Sequence, residues 1–446
     1  MRCILILGAC TGAVVLLVGM GGCPGSVPSV GNPQSDSGNA KDPDPTASNV
    51  FMLRVARHSD QPLLDEDVDE VFAEASRLLQ TVQTECPDVA TDVTFLRSDT
   101  VETFDVGEAV ITTERYPNGL DAVFDLPQDI KVVHALVGVC GVDEPADVAT
   151  ILGCATFGGS VVIVASAPPD VWAHEWGHVL GLGHRDDCRR NMMHSYEIDT
   201  NAVNQQERRA FLTPAPRAKA LKITAPERSA PCTERLRRSK DEPADTWVDR
   251  VVRRRYLAGI PHELTGDCDT EALVRLRDWR TGDTPEHSLR NVIRLLGLAG
   301  DADACDLLIA QVLERTGELS SDQFNAVAEA FLALGRLVEH DSGDSALRFL
   351  IEGTDPRRWE QCGVEWSFAT YSGERLHRLL ARLSILALGL SDSETALDHL
   401  RALRQRIDDG TLVADPFADQ VDEAIARLEG AAAGEDARSD RPRRIR

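Results

Sequence analysis

Basic residues are scarce in this 446-residue chain: 47 Lys and Arg stand against 72 Asp and Glu, a formal net charge of −25. That deficit argues against nucleic acid as a partner and against close binding to anionic lipid headgroups. The N-terminal apolar run, residues 4–18, is too short for a comfortable membrane span. It follows Arg2 and gives way to small residues up to Cys23, which is the layout of a secretory signal. Residues 24–48 have almost no large apolar side chains and are rich in Pro, Gly, Ser, Asp and Asn. They cannot bury a core and read as a flexible tether. Methionine is rare, with five in the whole chain.

Cysteine usage agrees with export. Of 11 cysteines, Cys3 and Cys10 lie in the signal, and eight lie beyond Cys23: Cys86, Cys140, Cys154, Cys188, Cys232, Cys268, Cys305 and Cys362. An even number in an extracytoplasmic chain favours disulfides, and no zinc-ribbon spacing is present. The connectivity stays open, and free buried thiols are the alternative. Met20-Gly21-Gly22-Cys23 resembles a bacterial lipobox, with Met20 where leucine is usual. The expectation is a membrane-anchored lipoprotein lipidated at Cys23, with simple secretion as the competing outcome.

Residues 174–184 read His-Glu-Trp-Gly-His-Val-Leu-Gly-Leu-Gly-His. On a helix, His174 and His178 share one face, and two imidazoles so placed can hold one Zn²⁺ with Glu175 beside its open position. Gly181 lets the chain leave the helix in a turn that returns His184 as a third ligand. Three neutral nitrogens leave a fourth position for water, the pattern of a catalytic zinc site.

This run resembles the metzincin metallopeptidases, whose signature HExxHxxGxxH is met by His174, Glu175, His178, Gly181 and His184. Gly177, Leu180 and Leu182 also meet the fuller form found in matrixin-like and serralysin-like members. The resemblance implies a methionine turn beneath the metal, and Asn191-Met192-Met193-His194 supplies one. Met193 fits the Asn-x-Met form, whereas Met192 has the matrixin spacing; a soft thioether suits either position. The resemblance also offers Tyr196 as a transition-state residue. It lies three residues past Met193 rather than two, so packing in the lower part of the domain competes with that role. Arg185 follows the third histidine, and no subfamily is assigned. The tether is too short for a folded pro-domain and has no cysteine after Cys23 to block the zinc.

Periodicity places strands near 50–56, 93–97, 109–113, 130–137, 151–157 and 161–165, and helices near 65–83 and 204–212. The zinc helix starts after Pro168-Pro169. In the family, an edge strand beside the cleft pairs with an extended substrate, and residues 151–159 are the candidate here. Breakers near 214–231 read as a linker.

Beyond the linker the chain turns to Leu- and Ala-rich helices. Leu289, Val292, Ile293 and Leu296 share one face, as do Ala304, Leu308 and Val312. The glycines of Leu257-Ala258-Gly259, Leu295-Leu296-Gly297, Ala333-Leu334-Gly335 and Ala387-Leu388-Gly389 recur at intervals that resemble HEAT-like helical pairs, with an irregular helical bundle as the alternative. Asp301, Asp303 and Asp306 read as a helix-start cluster rather than a calcium site. Structural Ca²⁺ has no support.

The expected organisation is a signal (1–23), a tether (24–48), an α+β metzincin-like catalytic domain with a mixed twisted sheet (49–213), a linker (214–231), an all-α repeat-like domain (232–430) and a disordered tail (431–446). The expected activity is zinc-dependent hydrolysis of protein or peptide substrates outside the cytoplasm, with Glu175 as general base. A catalytically inactive metzincin-like scaffold binding proteins through its helices is the alternative. The linker predicts two separable parts, the second recruiting substrate.

Overall fold

The computed structural model describes residues 50–80, 93–115, 119–140, 148–156, 159–180, 236–254, 256, 260–279, 286–300, 302–338, 343–411 and 417–439. Within them the protein is mixed α and β, with a largely helical C-terminal region.

The 50–56 run forms two strands, β1 (Val50–Leu53) and β2 (Val55–His58). Asp129 divides them: its carboxylate accepts the Arg54 N–H at 2.9 Å, while its own N–H and that of Ile130 donate to the Arg54 carbonyl. β1 then pairs in parallel with β3 (Thr94–Arg97), and β2 joins a five-stranded sheet. Between β1 and β3 runs α1 (Asp65–Gln80), which buries Val68, Phe72, Ala75 and Leu79 on one stripe. Asp65, Glu66 and Asp67 occupy its first turn, where acidic groups meet the positive end of the helix dipole.

The five-stranded sheet has the order β4 (Glu102–Phe104), β2, β6 (Ile130–Val133), β10 (Val161–Val164), β9 (Gly153–Ala155). Neighbours are parallel except β9, which runs antiparallel to β10, with Gly153 opposite Ile163. All four residues of β10 are buried, as expected of a strand covered on both faces. The 130–137 run bends at His134, whose N–H donates to the Ala109 carbonyl at 2.8 Å. Beyond the bend, β7 (Ala135–Val137) sits between β5 (Val110–Ile111) and β8 (Thr150–Ile151) in a second, three-stranded sheet. A short helix, α2 (Leu120–Phe124), precedes β6, and α3 (Pro169–Val179) follows β10.

The C-terminal region comprises α4 (Ala244–Val252), α5 (Thr270–Asp278), α6 (Glu286–Leu298), α7 (Cys305–Leu313), α8 (Ser321–Leu337), α9 (Gly343–Gly353), α10 (Pro356–Cys362), α11 (Gly373–Leu388), α12 (Glu394–Asp408) and α13 (Phe417–Ser439). It is not purely α: β11 (Thr316–Glu318) and β12 (Glu365–Ser367) form a small parallel pair, a contact between loops that helical periodicity does not reveal. α13 also extends into the segment expected as a disordered tail. In the Asp cluster, Asp303 pairs with Arg277 at 3.3 Å and Asp306 lies in the first turn of α7.

The recurring glycines acquire a physical reason. A methyl group at Gly297 of α6 would stand 2.5 Å from Cβ of Ala333 on α8. One at Gly335 of α8 would overlap the Ala387 carbonyl of α11, and one at Gly389 would lie 2.9 Å from Ala424 of α13. Each of these three glycines therefore admits another helix at close range, giving the row α6, α8, α11, α13; the first of the recurring glycines, Gly259, lies outside the described residues. α8 is buried along nearly its whole length, as a central helix should be.

The row and the three-stranded sheet share one core. Ala109, Val110, Ala135, Val137 and Val148 pack in the same apolar cluster as Phe324, Leu332, Leu380 and Leu386. Polar side chains of the helices also clasp the residues just past β5 and β7: Arg382 donates to Thr112 Oγ1 at 2.7 Å, Gln420 to the Thr112 carbonyl at 2.9 Å, and Arg427 to the Gly138 carbonyl at 2.8 Å. Arg375 pairs with Asp60. The break expected at 214–231 lies outside the described residues.

Candidate functional site

The site is built on α3. Pro168 in extended backbone and Pro169 at the first helical position start the helix without a side-chain cap. Trp172 and Trp176, four apart on one face, anchor it: Trp172 meets Phe72 edge-on at 6.0 Å, and Trp176 meets Phe51 at 5.9 Å. The Trp172 indole N–H donates to the Ala167 carbonyl at 3.1 Å. His174 and His178 lie two positions on from these tryptophans, a rotation of roughly 200° about the axis, and so face away from the anchoring core.

His174 and His178 converge as their spacing predicts. Their Nε2 atoms are 3.1 Å apart and their rings meet edge-to-face at 4.8 Å. Two bonds of about 2.0–2.1 Å to a single zinc would span that gap at an angle of about 100°. His174 is buried and His178 half-buried.

Glu175 is 2 % exposed, and burial alone pushes its carboxyl up to about 8 from an ordinary 4.5. A buried carboxyl without a compensating charge holds its proton; a cation placed beside it would favour the carboxylate. The imidazole pair fits two ligand positions of a divalent metal at this end of α3. Among the described residues no three metal-ligating side chains converge. The third expected ligand, His184, lies outside the described residues, as do Met192, Met193, Tyr196 and Cys23.

Gly153, on β9, carries no assigned role in the sequence reading. A methyl group there would stand 2.6 Å from Glu175 Cγ and 2.8 Å from its Oε1. The bare Cα of Gly153 is thus the wall against which the carboxyl lies. A glycine inside an otherwise strand-forming run is the signal that could have found it, since such residues mark close approach. β9 lies at the end of the five-stranded sheet, within the 151–159 segment expected to form the edge strand. Its neighbour Cys154 is bridged to Cys140, with Cα atoms 6.0 Å apart, tying β9 to the chain just past β7. Cys268, Cys305 and Cys362 are free thiols; Cys86, Cys188 and Cys232 lie outside the described residues.

Compared with family models, curated proteins and solved structures, the chain gives no match.

Proposed function

We propose that this chain is a zinc-dependent endopeptidase with a metzincin-like catalytic fold, exported from the cytoplasm and tethered through a lipidated Cys23. The observation that carries the reading is the convergence of His174 and His178 on α3, the helix whose Glu175 is buried against Gly153 of a strand at the sheet's end. The two imidazoles, with His184, would hold the ion. When bound, zinc would polarise the scissile carbonyl and acidify a coordinated water toward neutral pH.

The chain's own residues supply the rest. Glu175 takes the proton of the attacking water and passes it to the leaving amine, a role suited to a carboxyl held in a dry pocket. Packing of Trp172 and Trp176 fixes the helix, so neither imidazole nor the acid must be ordered during reaction. β9 offers its outer backbone groups to an extended peptide, which would lie beside Glu175. Gly153 keeps the space between strand and acid free of side chain. An intact Glu175 supports an enzyme over an inactive scaffold, since binding zinc does not require that carboxylate.

Incubation of the purified protein with a peptide library, with and without a chelator, tests the reading. Cleavage abolished by the chelator and restored by zinc is expected. Absence of cleavage by zinc-loaded protein would favour the scaffold instead.

A further inference from the structure

Helices α6 and α8 carry a cluster of charges that a soluble helix surface would not bury. Glu329 has no exposure, and Arg294 and Arg336 lie beside it with N–O distances of 3.4 and 3.2 Å. Burying such a group is costly unless every member finds partners. Part of the partnering comes from the Ile260 carbonyl, which accepts from Arg294 at 2.9 Å, and the Tyr256 carbonyl, which accepts from Arg290 at 2.6 Å; the rest comes from one short segment, residues 148–150. Arg294 donates to the Val148 carbonyl at 2.7 Å, and Arg336 donates to the same oxygen. The Thr150 N–H donates to Glu329 at 3.3 Å. Arg290, also buried, reaches Thr150 Oγ1 at 3.5 Å.

Three residues past Thr150 is Gly153, the wall of Glu175, and the next is Cys154 of the disulfide. The other end of that disulfide is held as well. Gly138, two residues before Cys140, gives its carbonyl to Arg427, and a methyl on it would stand 2.9 Å from Leu386. Its N–H donates to the Ala149 carbonyl at 2.9 Å, joining the two held points. The helix row therefore grips both anchors of the disulfide-linked segment from which β9 emerges.

We propose that the helix row is an intramolecular brace for the site, in which Arg294, Glu329, Arg336 and Arg427 are positioning residues that hold β9 at its distance from Glu175. The proposal deepens the peptidase reading and rests on it for its functional consequence. The row's polar side chains would then serve the chain's own strands, rather than recruit a substrate.

The test uses the full chain and native-state amide exchange resolved by segment. The variants are Glu329→Gln, Arg427→Met and a control, Leu400→Ala, which opens a cavity at α12 away from the strands. Under the brace, Glu329→Gln raises exchange in residues 150–156 at least about tenfold relative to its effect on α11 and α13. Leu400→Ala raises exchange in the helices without singling out 150–156. Short-peptide turnover in Glu329→Gln should fall at least about fivefold in kcat, with zinc content and KM near those of the parent. Should Glu329→Gln fail to fold, Arg427→Met carries the same expectation from the other anchor. Exchange in 150–156 that is unchanged, or that rises no more than in the helices, overturns the brace. If the parent cleaves no peptide, the peptidase reading falls while the exchange result still decides the brace.

Discussion

Replacing Gly153 by alanine would place a methyl group 2.6 Å from Glu175 Cγ, 2.8 Å from Oε1 and 2.9 Å from Cδ. Unstrained carbon contacts lie near 3.5–4.0 Å, so about 1 Å of movement is required somewhere. β9 is held by its pairing with β10 and by the Cys140–Cys154 bridge, whereas the Glu175 side chain can rotate. The acid should therefore move. Overpacking of this kind costs about 1–3 kcal/mol of stability, and a general base displaced by about 1 Å costs on the order of a hundredfold in rate. Initial rates on a cleaved peptide, with zinc content measured on the same samples, give the result. The double variant with Glu175→Gln isolates the route. Glu175→Gln alone should retain zinc and lose at least about a hundredfold, and Gly153→Ala should add almost nothing to that loss, because both act on one group. Unchanged kcat/KM in Gly153→Ala, or a full additional loss in the Gln background, would refute the placement of Gly153 as the acid's wall.

Three further outcomes follow from packing and charge. In metal-free protein Glu175 titrates near 8 when folded against an ordinary 4.5, so the folded state binds the extra proton between those values. Stability should fall as pH rises through that window by roughly 3–5 kcal/mol; urea unfolding with chelator at pH 5.5 and 8.5 should show this slope in the parent and not in Glu175→Gln. Replacing Cys140 and Cys154 together by serine removes a short loop closure and should lower unfolding stability by roughly 3 kcal/mol; an unshifted denaturant midpoint would show that the bridge contributes nothing. A chain ending at Ala230 would leave Val110, Val137 and Val148 without the helices that cover them, so circular dichroism and size exclusion should report no cooperative fold. A soluble, zinc-binding, peptide-cleaving fragment would instead favour separable parts with a recruiting role for the helices.

The local features were legible because spacing alone decides them. The i, i+4 histidines meet on α3, the 65–80 stripe buries the expected face, and the valine run of β10 is a buried strand. What escaped depends on partners remote in sequence. The split at Arg54 is imposed by Asp129, and the bend at His134 by Ala109. β4 is only three residues, two of them polar and exposed, and offers no alternation to detect. The glycine recurrence was visible, yet its reason, an Ala of the following helix at each contact, appears only in packing. Glu329 and Arg294 look like ordinary helix-surface charges until the strand backbone they grip is in place. Gly153 is the instructive omission: its residue type hinted at close approach, but not that Glu175 was the group approaching.

Metal analysis tests the central claim most directly. Protein purified without chelator should contain about one zinc per chain, and replacing His174, His178 or His184 by alanine should remove it while the helix row keeps its fold. A parent protein that carries no zinc and takes none up on addition would contradict the account, whatever its fold.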